Sequence, residues 1–370
     1  MAAAANIQQL LAAMKTHGAS DLHLKAGLPP TLRVKGHLKL ITMPAMSGAD
    51  IEALLSPIIP AERRAHFAEH GSVDFAAELP DGDRFRCNVF RASGKMGAAI
   101  RRVNPVIPTY AELHLPPILE KVVSQTFEGI LIVCGVTGSG KSTTIARMIE
   151  QINETRSENI VTLEDPIEYQ FKPKKSIISQ REMGVDLIDF TEGLRSVVRQ
   201  DPDVIFIGEL RDLVTMRAAI QSAETGHLVF ASMHSADTTQ AFARLLEFFP
   251  ENERSFVRTA ISNTLRAIFA QRLLPGARED SPLIPATEAL INTPSLKEMV
   301  RKEQENEISD LIAGSENAGM HSFTSSLAQL VEEDWVFMDT AMQYAPNAEA
   351  LASRLRGIKA SGQTMVQRSR

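Results

Sequence analysis

The chain has 370 residues, of which 44% are hydrophobic and 23% charged, with a formal net charge of −6. That length exceeds one ordinary core and predicts two domains or more, and the acidic balance excludes a chain-wide electrostatic surface for DNA or RNA. Two cysteines, Cys87 and Cys134, are too few for a four-thiolate zinc site and form no C-x-x-C pair, so both are read as reduced buried residues. No run of eighteen apolar residues occurs, and the Ala-rich start lacks the basic end and apolar run of a secretion signal, so a cytoplasmic location is expected.

Residues 1–104 read as a small α+β domain. Ile7, Leu10, Leu11 and Met14 recur at helical spacing, followed by short strands over 21–24, 32–34 and 37–41. Helices over 47–55 and 60–70 lead into strands over 72–77, 84–90 and 97–103. Asp81-Gly82 and Ser93-Gly94 between these strands are hairpin signals, which predicts an antiparallel meander with helices beside it. Arg86 and Arg101 fall on adjacent predicted strands either side of the second turn. Arginines so placed can reach a phosphate across a cleft; spacing alone favours strand-face arginines in water.

Residues 105–115, with Pro105 and Pro108 and no periodicity, read as an interdomain linker. Over 116–292 strands near 130–134, 159–163, 204–207 and 228–232 alternate with helices, which predicts a parallel sheet covered on both faces with a ligand at its carboxyl ends. From 293 the strand signal stops. Helices interrupted at 314–319 and at Pro346 give a helical subdomain over 293–358, and the polar, basic stretch 359–370 reads as a frayed tail.

The segment Gly135-Val-Thr-Gly-Ser-Gly140-Lys141-Ser142 fits G-x-x-x-x-G-K-[ST], directly after the apolar run 130–134 and before a helix-like stretch from Thr143. At average residue frequencies a chain of this length meets the pattern by accident roughly once in a hundred, before its strand and helix context is counted. The chemistry follows from the spacing. Glycines let the backbone N–H groups of Gly135, Thr137, Gly138, Ser139, Gly140 and Thr143 turn around a polyphosphate at a helix N-terminus. Lys141 would reach the β- and γ-phosphates, and the Ser142 hydroxyl would sit on Mg²⁺. ATP and Mg²⁺ are therefore the expected ligands.

A second strand, Val204–Ile207, ends at Gly208-Glu209. If it neighbours the strand that feeds the phosphate loop, Glu209 points at the terminal phosphate, where a base or water-orienting group is needed. Gly208 stands where a Mg²⁺-holding Asp is usual, so water or another carboxylate must complete the metal shell; Glu164, at the end of a different strand, is assigned to Mg²⁺-bound water. His227 and His234 bracket the strand 228–233. A histidine at a strand end near the γ-phosphate can donate a bond that exists only while that phosphate does, although a lone histidine is more often structural.

Ala26-Gly-Leu-Pro-Pro30, Ser20-Asp-Leu-His-Leu24, Arg84-Phe-Arg-Cys-Asn88, the Gly135 loop, Thr162-Leu-Glu-Asp-Pro-Ile-Glu-Tyr169, Arg199 to Asp212, Thr225 to Phe230 with Met233-His234-Ser235, and Gly319-Met-His-Ser-Phe323 together resemble the retraction ATPases of type IV pili. These twitching-motility proteins form a group of the secretion-ATPase superfamily, and the resemblance spans almost the whole chain. It implies an α/β architecture: a PAS-like α+β N-terminal domain, a RecA-like P-loop domain and a C-terminal helical extension. It implies a homohexamer with ATP between the two domains, Glu209 as catalytic base, Glu164 on Mg²⁺, His227 and His234 lining the phosphates, and Arg86 and Arg101 reaching the nucleotide. The implied partners are an inner-membrane pilus platform protein, which places the ring peripherally at that machinery, and a paralogous retraction ATPase; no nucleic acid is expected.

The helix 295–302, Ser-Leu-Lys-Glu-Met-Val-Arg-Lys, keeps the apolar spacing and Arg301 of the family's retraction-associated helix and changes most of its polar residues. An accessory retraction paralogue, or a nucleotide-binding regulator with little turnover, is therefore the alternative to an independent retraction motor. A nucleic-acid-stimulated RecA-like motor is disfavoured, because three tyrosines and one tryptophan offer little surface for base stacking.

Overall fold

The computed structural model describes residues 6–34, 36–103 and 106–367, with the backbone alone for 358–367. Pro105 of the expected linker and the last three residues of the expected tail lie outside the described residues. The chain divides into two units, residues 1–106 with 168–170, and residues 107–167 with 171–370.

In the first unit α1 (Ile7–Thr16) is opened by a capping box, Asn6 with Gln9, and buries Ile7, Leu10, Leu11 and Met14 on one face. Strands β1 (Ala19–Leu24), β2 (Thr31–Val34) and β3 (His37–Leu40) precede helices α2 (Gly48–Leu55) and α3 (Ala61–His70); β4 (Ser72–Glu78), β5 (Arg84–Ala92) and β6 (Lys95–Arg102) follow. They form one antiparallel sheet in the order β3-β2-β1-β6-β5-β4. Alternation sends Leu22, Leu32, Phe85, Cys87 and Ile100 into the core. Residues one place along, Asp21, Arg33, Arg86 and Arg101, share the other face.

The second unit opens with α4 (Pro117–Gln125) and β7 (Gly129–Cys134), every residue of which is buried, as a central parallel strand requires. The chain continues through α5 (Lys141–Thr155), β8 (Asn159–Glu164), β9 (Ile177–Glu182), α6 (Phe190–Val197), β10 (Val204–Ile207), α7 (Leu213–Glu224), β11 (Leu228–Met233), α8 (Thr238–Glu247) and α9 (Glu251–Thr264). A long hairpin, β12 (Leu265–Arg278) and β13 (Ser281–Ile291), completes a seven-stranded sheet ordered β13-β12-β7-β11-β10-β8-β9, parallel throughout except for β13. The four expected strands are present. The sequence reading named no strand for β9, β12 or β13: Leu265, Ile268, Phe269 and Leu273 recur at helical spacing, and Pro282 and Pro285 argue against a strand. The prolines are tolerated because β13 is an edge strand.

Helices α10 (Pro294–Arg301), α11 (Ile308–Gly314), α12 (Phe323–Glu332), α13 (Met338–Tyr344) and α14 (Ala348–Gln367) follow. Leu296, Val300, Phe323, Leu327 and Leu351 share one hydrophobic core with the sheet residues Ile130, Ile268 and Leu290, so these helices complete the sheet's cover. Helix α14 runs to Gln367, into the segment read as a frayed tail. No helix among the described residues is long and apolar enough to cross a membrane.

Candidate active site

The turn after β7 leads into α5 through Gly140, whose φ of 87° favours glycine and whose added Cβ would lie 2.7 Å from Gln271 Nε2. Fifteen residues of helix then point their N-terminal amides into the loop. Lys141 is buried, its Nζ donating to the carbonyl oxygens of Gly135 at 2.9 Å and Val136 at 3.0 Å. Val136, Thr137 and Gly138 are exposed at the loop crest, and Ser142 and Thr143 are half-buried. The Ser139 hydroxyl is buried with no hydrogen-bond partner among the described residues, and a nearby phosphate oxygen would satisfy it.

One residue that sequence reasoning missed braces this loop. Gln271, on β12, donates from Nε2 to the Ser139 carbonyl and accepts from Thr144 Oγ1, both at 2.7 Å. No local pattern marks a glutamine 130 residues downstream as a loop brace; only the pairing of β12 with β7 brings it there.

Parallel register sets the rest of the site. Cys134 pairs with Met233, and Ile207 with both Ala231 and Leu163, so the residues after β7, β8, β10 and β11 leave the sheet at one edge. There Glu209 Oε1 lies 3.6 Å from His234 Nε2, both partly exposed. Arg211 Nε is 4.0 Å from Glu209 Oε2, while its Nη2 pairs with Asp165 at 3.0 Å. Glu164 is 6% exposed and accepts from Thr162 Oγ1 at 2.6 Å and Gln180 Nε2 at 3.1 Å, which fixes its orientation. Gly208 donates to the Leu163 carbonyl at 2.8 Å, and a Cβ there would stand 3.0 Å from that oxygen. Strand packing is thus close at this position. Beside the loop, a cleft of about 570 Å³ is lined by Val136, Thr137, His234, Gln240, Arg244 and Glu247.

Within the chain the two histidines do not meet. His234 follows the carboxyl end of β11 and His227 precedes its amino end, roughly 20 Å apart along an extended strand. His227 Nδ1 is engaged by the Ser222 carbonyl at 2.8 Å and Thr225 Oγ1 at 3.0 Å, closing the end of α7. In the first unit, Arg86 and Arg101 stand directly opposite each other on β5 and β6. Both cysteines are free and buried, and burial pushes the Cys87 thiol up to about 12 and Cys134 upward as well, so neither is a nucleophile.

The fold and the loop define a P-loop nucleotide-hydrolysing enzyme: a PAS-like α+β unit followed by a RecA-like unit with C-terminal helices. Residues 110–328 match the family model described as Type II/IV secretion system protein. The chain is 36% identical over 343 residues, 92% of its length and 98% of the relative's, to the type IV pilus retraction ATPase PilT of Pseudomonas aeruginosa. It is 36% identical over 344 residues, 93% of its length and 90% of the relative's, to the type IV pilus ATPase PilU of the same organism. Among solved structures, the pilus retraction motor PilT with bound ADP superposes with a TM-score of 0.86 at 37% identity, covering 93% of this chain and 98% of that one. The chain belongs to the type II/IV secretion system protein family and is an ATPase of it.

Proposed function

We propose that this protein is the ATP-driven motor that withdraws type IV pili, powering twitching motility. The observation that supports it most is the meeting of the phosphate loop, Glu209 and His234 at one sheet edge in a chain that matches a retraction ATPase over nearly its full length. The loop amides from Gly135 to Thr143 and the N-terminus of α5 bind the phosphates, and Lys141 exchanges its bonds to the Gly135 and Val136 carbonyls for phosphate oxygens. Glu209 orients and deprotonates the attacking water, and His234 donates to the terminal phosphate while it is present.

No group of three or more His, Cys, Asp or Glu among the described residues could hold a metal by itself. This suits Mg²⁺, which is bound by few protein ligands together with water and substrate phosphates. Ser142 would ligate it, and the fixed carboxylate of Glu164 would hold one of its waters; bound there, it neutralises charge developing on the phosphates. We propose further that the protein works as a homohexamer against an inner-membrane platform protein of the pilus machinery.

Deleting the gene tests this: long, unretracted pili and lost surface motility are expected, restored by the wild-type gene and not by Glu209→Gln. Cells without pili would indicate an assembly motor instead. The equal identity to PilT and PilU, with the altered polar face of α10, favours as second reading an accessory motor that assists a paralogue. In that case deletion leaves basal retraction intact and lowers only retraction under load.

A further inference from the structure

Helix α8 is amphipathic: Ala241, Phe242, Leu245 and Leu246 lie in the core, which turns Gln240, Arg244 and Glu247 to the opposite side. These three line the cleft of about 570 Å³ beside the phosphate loop, together with His234 and with Val136 and Thr137 of the loop crest. All belong to the second unit. The three polar side chains are not equally available. Gln240 Nε2 donates to Asp237 Oδ2 at 2.8 Å, which ties it to the cap of its own helix. Glu247 carries the wrong sign for a phosphate and lies three residues beyond Arg244, roughly 4.5 Å further from that cap along the helix. Arg244 is left.

An exposed helix arginine is ordinarily free to move in water. Arg244 is held instead: Nη1 donates to the His234 carbonyl at 2.8 Å, a charge-assisted bond that draws the side chain back toward the helix N-terminus. Its Nε and Nη2 take no hydrogen bond or ion pair among the described residues. A guanidinium is a rigid planar fork, so pinning one nitrogen fixes where the other two lie. They lie next to the residue whose Nε2 stands 3.6 Å from Glu209, in a cleft bordered by the crest of a loop built for polyphosphate. A fixed cation with two spare donors calls for an anion there. We infer that Arg244 is a substrate-binding residue for the terminal phosphate of ATP, its Nε–Nη2 edge donating to the phosphate oxygens. ADP leaves that edge empty, so Arg244 and His234 together distinguish the loaded site from the spent one. The inference deepens the reading of the phosphate loop and His234 proposed above and rests on it.

Calorimetric titration of the purified full-length protein tests this, with Mg²⁺ present and two probes: ADP, and the ATP analogue that carries an imido bridge between its β- and γ-phosphates. The proteins compared are the parent, Arg244→Ala, Arg244→Gln, Arg244→Lys, and His234→Ala with and without Arg244→Ala. Arg244→Ala is expected to weaken the analogue about tenfold or more and ADP by less than about twofold, because only the analogue carries the third phosphate. Arg244→Gln keeps an amide donor for the His234 carbonyl without the charge and should lose nearly as much analogue affinity; it carries the test if the alanine variant does not fold. Arg244→Lys, a point charge without the fork, should retain part of it. Adding Arg244→Ala to His234→Ala should weaken the analogue further. Equal loss of both nucleotides in folded Arg244 variants, or loss of neither, would overturn the role of Arg244 alone. So would no further loss in the His234→Ala background, since Arg244 would then act only through His234. Weaker inhibition of turnover by inorganic phosphate, with the ratio of analogue to ADP affinity unchanged, would give the edge to released phosphate and overturn it as well. A parent that binds neither nucleotide would overturn it together with the reading of the phosphate loop.

Discussion

Replacing Gln271 with leucine keeps its bulk and removes both bonds that clasp the phosphate loop to the first turn of α5. The groups left behind belong to Ser139 and Thr144, residues 2% and 1% exposed, so water cannot take the place of the amide. A buried polar group without a partner costs about 1–3 kcal/mol. The Thr144 hydroxyl can turn back to the Gly140 carbonyl four residues earlier, whereas the Ser139 carbonyl has no such recourse, which places the total at about 2–4 kcal/mol. For a unit of this size that corresponds to a fall in Tm of roughly 5–15 °C. The same loosening frees the loop amides that bind phosphate, so ATP affinity should drop about tenfold, or 1.4 kcal/mol. Thermal unfolding and titration with ATP measure the two effects. A Tm within about 2 °C of the parent and unchanged ATP affinity would refute the idea that Gln271 braces the loop.

Other outcomes follow from the same geometry. Lys141→Ala removes a charge-assisted donor and should weaken ATP binding by about tenfold to a hundredfold in calorimetric titration, without lowering Tm by more than a few degrees. Gly208→Ala sets a methyl group 3.0 Å from the Leu163 carbonyl and should destabilise the sheet by about 1–3 kcal/mol in thermal unfolding; Gly208→Asp should do at least as much and fail to raise turnover. His321 is half-buried beside Thr287 Oγ1, and desolvation, partly opposed by a backbone hydrogen bond and Glu316, lowers its pKa below the usual histidine range. The unfolded chain therefore binds this proton more readily, so stability falls as pH drops below about 6.5, by at most about 1.4 kcal/mol per pH unit. His321→Gln should flatten that decline when Tm is compared at pH 7.5 and 5.5.

The features legible in the sequence are those whose chemistry lies within a few neighbouring residues. The phosphate loop is one: strand, glycines, lysine and helix are contiguous, and Glu209 follows a short apolar strand that can only be central. The hairpin Ser93-Gly94 likewise put Arg86 and Arg101 on adjacent strands. What could not be read depends on register or long-range pairing. The rule that ligands sit at the carboxyl ends of parallel strands favours His234, which follows β11, over His227, which precedes it, but only the pairing of β11 with β7 brings that end beside the phosphate loop. Strand β12 resembles a helix in periodicity because it is buried on both faces, and Gln271 was hidden with it. Asp21 read as part of a motif, but its partner Arg101 lies 80 residues away across a sheet.

The most direct test is the rate of phosphate release from MgATP by the purified protein and by Glu209→Gln, with ATP affinity measured on both. Glu209→Gln should bind ATP as the parent does and release phosphate at least a hundredfold more slowly, the range expected for loss of a general base. Turnover near the parent rate in Glu209→Gln, or no ATP-dependent phosphate release from the parent, would contradict the assignment of this chain as a motor driven from that site.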